Sequence, residues 1–338
     1  MNDIYSILPS YYKHRIAVVG KREFFIKVRD ALVECIRKYG FEANAYAEIE
    51  EALRDKPTCV VVMQPMMYPI PEDRSVIWIM IQTEQLFHNE KWPKQPFFVK
   101  NLNAIKSYLN AYDIILECVK QNIDGLKKMT DATIVHFPSY WYPSLEEDKD
   151  RISSLDDKEY DLLFIGTMPG IDNRRKKLLD YLSEHYKVFP ETVMWYEEKS
   201  KAIANSKICL NIHFDESRQM EMMRMCDYFA YESFVLSEPM YHTEPFVEGQ
   251  DYVEFFWTNI CEKIDYYLAH DEERKRIAQN AHQKLHQYTL MESAKILIDT
   301  LLLVSYDKMR EKEEEAYRAR HTFVPEVKRK LRKILKKK

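Results

Sequence analysis

Between residues 206 and 238 the chain reads SKICLNIHFDESRQMEMMRMCDYFAYESFVLSE. An apolar run with the character of a buried strand ends in His213, a helical stretch carries Glu221, Arg224 and Asp227, and a second apolar run ends in Ser237 and Glu238. Glu221, Arg224 and Tyr228 are spaced i, i+3 and i+7 and share one helix face, while Asp227 lies three residues beyond Arg224, so a ladder Glu221–Arg224–Asp227 is expected. One reading is a surface helix laced with ion pairs, each contributing roughly a few tenths of a kcal/mol. The other is a polar pocket above the carboxyl ends of parallel strands, where α/β proteins bind their ligands. A helix wedged between two buried strands starts at that edge, and its first turns then face a crevice, which favours the pocket.

Two further stretches carry groups of the same kind. In LLFIGTMPGIDNRRKKLL a strand ends at Gly166 and Thr167 and is followed by Arg174 and Arg175 at a helix start. A small-residue turn lets a backbone amide approach a phosphate, and a guanidinium neutralises it; an ordinary strand-to-helix turn with a solvated basic face is the plain alternative. In VIWIMIQTEQLFHNE a strand ends in Gln82, Thr83, Glu84 and Gln85. This is either a second rim opposite His213 or an amide-rich helix start. With six glycines in the chain there is no G-x-G-x-x-G fingerprint and no P-loop, which argues against NAD-linked and kinase-like chemistry. The D-x-D at Asp148–Asp150 sits in a polar segment away from any strand end, and no H-E-x-x-H spacing occurs, so neither a metal nor a cofactor is expected. The six cysteines are dispersed through mostly apolar stretches and read as reduced core residues.

Two α/β units are expected to position these groups. Of 338 residues, nearly half are apolar or aromatic, and the net charge of −4 gives no general pull toward nucleic acid. Runs such as RIAVVG, TCVVVMQP, VIWIMIQTE, YDIILECV and ATIVHFP alternate with helical patterns, the signature of a parallel sheet buried on both faces. A polar, proline- and serine-bearing segment interrupts them, and the alternation restarts at YDLLFIGT. The expected division is residues 1–145, a linker at 146–159, a second unit at 160–290, a helix at 291–320 packing back toward the first unit, and a basic tail at 321–338. Asp271 is expected to cap the helix EERKRIAQNAHQKLHQY, and a long helix to begin near Glu292.

The ordered series YDLLFIGT, RRKKLLDYL, KAIANSKICLNIHF, EMMRMCDYFAYESFVLSEP, FVEGQDYVEFF and KIDYYLAHDEERKRIAQNAHQKL resembles the CgeB-like branch of the glycosyl transferases group 1 family, enzymes of the two-domain GT-B fold. IWIMIQTEQL and YDIILECVKQNI resemble the matching parts of the first domain. The resemblance implies two Rossmann-like domains facing a cleft, the C-terminal one holding a nucleotide-sugar donor and the N-terminal one an acceptor. It places Asp227 in the slot of the carboxylate that binds donor hydroxyls. Where the family commonly has E-A-x-A-x-G-x-P, this chain keeps Ala230 but has Asp227 for the acid, Glu232 for the glycine and Phe234 for the proline.

The implied reaction is metal-independent, retaining transfer of a sugar from a nucleoside diphosphate to an acceptor hydroxyl on a glycan or lipid-linked glycan. The expected catalytic groups are His213, Glu221 and Arg224. Gly166, Thr167, Arg174, Arg175, Asp227, Ser237 and Glu238 are expected on the donor, and Gln82, Glu84 and Gln85 on the acceptor. A nucleotide-sugar epimerase and a noncatalytic sugar-nucleotide-binding or scaffold protein are the alternatives. No signal-peptide core or apolar span is evident in the sequence, so a cytoplasmic protein is expected. The basic end, VKRKLRKILKKK, is either a solvated terminus or an electrostatic anchor to anionic lipid.

Overall fold

The computed structural model describes residues 5, 12–63, 65–69, 71–84, 86, 109–138, 158–168, 173–214 and 218–335. Gln85, Asp148–Asp150 and most of the expected linker lie outside them. The first unit is built on β1 (Arg15–Val19), β2 (Glu42–Tyr46), β3 (Cys59–Met63), β4 (Ile77–Gln82), β5 (Ile114–Glu117) and β6 (Thr133–His136). These form one sheet in the order β2-β1-β3-β4-β5-β6, with every pairing parallel. The apolar runs become strands because successive side chains enter opposite layers. Ile16, Val18, Val61, Ile79 and Ile81 pack on one face with Leu32, Val33 and Ile36 of α1 (Glu23–Lys38). Ala17, Val19, Val60, Val62 and Met80 pack on the other with Ile49 and Ala52 of α2 (Ile49–Arg54). A short helix, α3 (Ile123–Leu126), follows β5. Strand β2 was not anticipated: EANAY is polar and its Glu42 is exposed, as the edge of the sheet allows.

The second unit holds β7 (Tyr160–Phe164), β8 (Ser206–Asn211), β9 (Phe234–Ser237) and β10 (Val253–Glu254), all parallel, in the order β10-β9-β8-β7. Helices α4 (Arg174–Ser183) and α7 (Ile260–Ala269) cover one face through Leu178, Leu182 and Ile264. Helices α6 (Met222–Ala230) and α8 (Asp271–Leu285) cover the other through Met225, Phe229, Ala281 and Leu285, and α5 (Tyr196–Ala204) contributes Ala202 and Ile203. His270 takes the N-cap position of α8, so Asp271 lies within its first turn rather than capping it, and its carboxylate accepts from Arg274 Nη2 at 2.6 Å.

The chain then returns to the first unit. Helix α9 (Leu290–Leu335) inserts Leu290, Leu297, Ile298 and Leu301 into the core beside α1. Fully burying an aliphatic side chain of this size stabilises by about 1.5–3 kcal/mol. Polar contacts fix its register: Ser293 Oγ donates to Pro138 O at 2.8 Å and Lys308 Nζ to Asp113 Oδ1 at 2.6 Å. From Arg310 to Arg318 the helix is exposed, and its backbone stays helical through Leu335, into the stretch expected to be a tail. Among the described residues no helix is long and apolar enough to cross a membrane.

Candidate functional site

The carboxyl ends of both sheets turn toward a shared cavity of about 710 Å³. Arg22, Thr83, Glu84, Cys118 and Val119 line it from the first unit. From the second come the turn after β7 (Ile165–Thr167), the strip Thr192–Trp195, Lys199 on α5, and the start of α6 with Glu221, Arg224 and Asp227.

Helix α6 is anchored to the sheet by Tyr228, whose hydroxyl accepts from Ile165 N at 3.1 Å and donates to Leu210 O at 3.3 Å. That anchor aims Arg224, one turn earlier, at the end of β7. A Cβ at position 166 would lie 2.9 Å from Arg224 Nη2 and 2.8 Å from Phe164 Cζ, so only glycine admits the guanidinium there. The Gly166 amide is not aimed at a ligand, because it donates to Thr192 O at 2.7 Å.

Glu221, at the N-cap position of α6, lies between two guanidiniums, with Oε2 2.5 Å from Arg224 and Oε1 3.2 Å from Arg175. Burial raises its pKa, but Arg224 and Arg175 together outweigh burial and hold it below the usual carboxylate range. Arg175 is almost wholly buried, donates to Ile212 O and Thr167 O, each at 3.0 Å, and lies over Phe164 and Phe214. Burial, only partly offset by Glu221, lowers its pKa to about 10, so it stays charged at neutral pH. Arg224 Nη1 also donates to Asn211 Oδ1 at 2.8 Å, and Asn211 Nδ2 donates to Ser237 Oγ at 2.9 Å, which links the ends of β8 and β9. The first step of the expected ladder, Glu221 to Arg224, is therefore present. Asp227 is held by Lys199 Nζ at 2.7 Å from the neighbouring helix.

The other expected residues form a second cluster. Arg174 makes a two-pronged pair with Glu238 at 2.8 and 2.6 Å and donates to His213 O at 2.6 Å. Trp257 Nε1 and the His213 amide also donate to Glu238, at 2.6 and 2.7 Å. Burial raises the Glu238 pKa, but Arg174 and then His213 outweigh it and hold the carboxyl below its ordinary value. His213 Nε2 donates to Pro239 O at 3.1 Å, which leaves Nδ1 as a buried acceptor with no partner among the described residues. Burial lowers the imidazole pKa, so the ring is neutral at pH 7. His213, Arg174, Ser237 and Glu238 brace the strand ends but do not reach the described walls of the cavity.

Across the cavity, Gln82 closes a ring with Glu84, donating to its carbonyl at 2.7 Å and accepting from its amide at 2.8 Å. Gln82 Nε2 also reaches Glu117 Oε2 at 3.1 Å, while Val119 N and Asn122 Nδ2 donate to Glu117 Oε1 at 2.7 and 3.2 Å. Glu117 is fully buried, and burial drives its pKa up to about 8 in spite of these donors. Burial likewise raises Glu84, with Arg22 pulling the other way.

Sequence reasoning missed Lys199, Asn211, Glu117 and Asn122. Asn211 and Glu117 each end a strand buried on both faces, as Gln82 and Ser237 do, and that placement was the available signal. At position 232, where the family pattern has glycine, Glu232 adopts φ 47°, the left-handed conformation that glycine takes most easily.

Residues 155–299 match the family model described as glycosyl transferase-like. The uncharacterised protein L140 of Acanthamoeba polyphaga mimivirus is 26% identical over 244 residues, spanning 70% of this chain and 72% of its own. Among solved structures, sucrose-phosphate synthase from Thermosynechococcus elongatus superposes with a TM-score of 0.55 at 9% identity, over 88% of this chain and 99% of the other. Anabaena Alr3699/HepE, in complex with UDP and glucose, superposes with a TM-score of 0.53 at 6% identity, over 85% and 99%. Two facing parallel sheets, a cavity between their carboxyl ends and these structural likenesses establish the GT-B fold, and the C-terminal unit of the chain is similar to the glycosyl transferase-like family.

Proposed function

We propose that this protein transfers a glycosyl group from a nucleoside-diphosphate sugar to an acceptor hydroxyl. The observation that carries the reading is the pair of guanidiniums, Arg175 and Arg224, sharing one carboxylate at the end of β7, inside a stretch that matches the glycosyl transferase-like model. Two cations around one anion leave a surplus of positive charge where a diphosphate would sit. In the step itself the bond from the anomeric carbon to the phosphate oxygen breaks, and its electron pair leaves on the diphosphate. A bond forms to the acceptor oxygen, and the acceptor proton passes to a base. Arg224 and Arg175 meet the charge growing on the leaving group, so the proposed route is metal-independent.

Asp227, set by Lys199, is proposed on the donor hydroxyls, and Glu84 on the acceptor side. Thr167 lines the same cavity, while His213, Arg174, Ser237 and Glu238 are proposed to hold its floor rather than touch the reacting atoms. The proposed retaining outcome, the CgeB-like branch, the glycan or lipid-linked acceptor and a place at the cytoplasmic membrane face rest on sequence resemblance and the basic terminus. The noncatalytic reading draws support from Asp227, whose carboxylate is already paired with Lys199.

The test is a panel of nucleoside diphosphates and their sugars, read first by thermal shift and then by donor consumption with and without acceptor. A ligand that binds only the folded state raises stability as RT ln(1 + [L]/Kd). One nucleotide should shift wild type, and Arg224→Ala should lower kcat/KM with it by about 100- to 1,000-fold. Binding without consumption would favour the noncatalytic reading, consumption without acceptor would favour an epimerase, and no shift with any nucleotide would overturn the donor site.

A further inference from the structure

A second chamber, of about 290 Å³, lies between the domains beside the first. Cys118, Val119, Met220 and Met222 line both, so a single strip of side chains separates them. The smaller chamber sits where the chain crosses between domains. Pro138, which closes it on one side, is the last described residue before the linker, and Tyr288, on the other, lies just before α9 returns to the first unit.

The polar groups come from both domains. Lys120 and His136 belong to the first, and Gln219, His242 and Glu244 to the second. Lys120 Nζ lies 3.8 Å from Glu244 across the gap. Gln219 is 3% exposed, and its amide nitrogen is buried without an acceptor among the described residues. An unmet buried donor is costly, so the Gln219 amide is poised to turn toward a partner in the chamber that its side chain lines.

The chemistry of the walls narrows that partner. Lys120 and Glu244 bring opposite charges, so the chamber has no strong preference for an ion of either sign. Lys120, Glu244, the two imidazoles and the Gln219 amide offer donors and acceptors in mixture, as neighbouring hydroxyls require, and methionine, proline and tyrosine side chains supply apolar surface for C–H faces. At about 30 Å³ per water, the space equals about ten waters, enough for one sugar ring.

We infer that this chamber is a carbohydrate site at the domain hinge, separate from the donor cavity, and that its occupant is a single neutral sugar ring bridging the two domains. Because the two chambers share a wall, a sugar held there fixes the spacing of Val119 from Met222 and so the width of the donor cavity. The site stands on its own geometry; its effect on turnover rests on the glycosyl-transfer reading.

Saturation-transfer NMR on the full chain, with methyl glucoside, methyl mannoside and N-acetylglucosamine each presented without nucleotide, tests the proposal. At least one should receive saturation from the protein. Gln219→Leu and His242→Ala should each weaken its binding about fivefold, the size of one lost hydrogen bond, while Arg224→Ala leaves it unchanged. His242 is exposed, so that variant folds even if Gln219→Leu does not. Absence of transfer to all three sugars would overturn the site, as would binding lost in Arg224→Ala and kept in both chamber variants. Competition by inorganic phosphate, abolished in Lys120→Ala, would replace it with an anion site. UDP binding measured on the same samples separates failure here from failure of the donor assignment.

Discussion

Glu117, at the end of β5, is fully buried one residue before Cys118 in the first domain's wall of the cavity, and Glu221, at the start of α6, lies half-buried in the second domain's wall. The described partners of Glu117 are amides, and burial drives its pKa up to about 8. Glu221 has two guanidiniums, and they hold it below its ordinary value although burial raises it. At Glu117 the amide donors only partly offset burial, whereas at Glu221 the two guanidiniums outweigh it. The first domain thus keeps a protonated carboxyl behind its wall of the cavity near neutral pH, while the second sets an ionised carboxylate between two guanidiniums in its own wall.

The sharpest way to break the contrast is to remove Glu221. Glu221→Ala strands the buried Arg175 beside Arg224, and a loss of about 3 kcal/mol is expected, read as a drop in denaturation midpoint. Glu221→Gln keeps an acceptor and should lose less. Equal loss in the two variants would show that the charge is immaterial.

The pH dependence of stability sharpens the same contrast. Glu117 binds its proton more tightly folded than unfolded, so its contribution is complete below about pH 4.5, falls as pH rises and is gone above about pH 8, a span on the order of a few kcal/mol. Glu221 and Glu238 act with the opposite sign. Their contribution is complete above the ordinary carboxylate range and is lost as pH falls through their lowered folded values. Urea titrations from pH 4 to pH 9 should show the decline toward alkaline pH flattened in Glu117→Gln. An unchanged slope would mean that Glu117 is ionised throughout.

The smallest effect is expected at position 232, where the second domain departs from the pattern of the family it resembles. Glu232→Gly relieves a left-handed backbone and should stabilise by roughly 1 kcal/mol, less whatever the 3.9 Å approach to His282 contributes. A fall in melting temperature would show that this approach outweighs the backbone.

The two rims also differed in how far they could be read from sequence. Glu221 and Arg224 were legible because they share a helix face, and spacing along one helix is a property of the sequence. Lys199 and Asn211 were not, since their partners lie on other elements and only the folded sheet brings them together. Arg174 and Arg175 are adjacent, and spacing does not tell which turns to Glu238 and which to Glu221; only their placement against the strand ends decides it. Glu117 was hidden as the last letter of YDIILE, an ordinary strand end until β4 and α3 close over it. The buried strands were legible from continuous apolar runs, whereas β2, polar and at the edge, was not.

Helix α9 completes the core of the first domain with residues made some 150 positions after that domain's last strand. During synthesis at about 5–20 residues per second, the six-stranded sheet therefore waits roughly 10–30 seconds with the face beside α1 uncovered. Over that interval the nascent chain offers chaperones an apolar groove that the finished protein does not have.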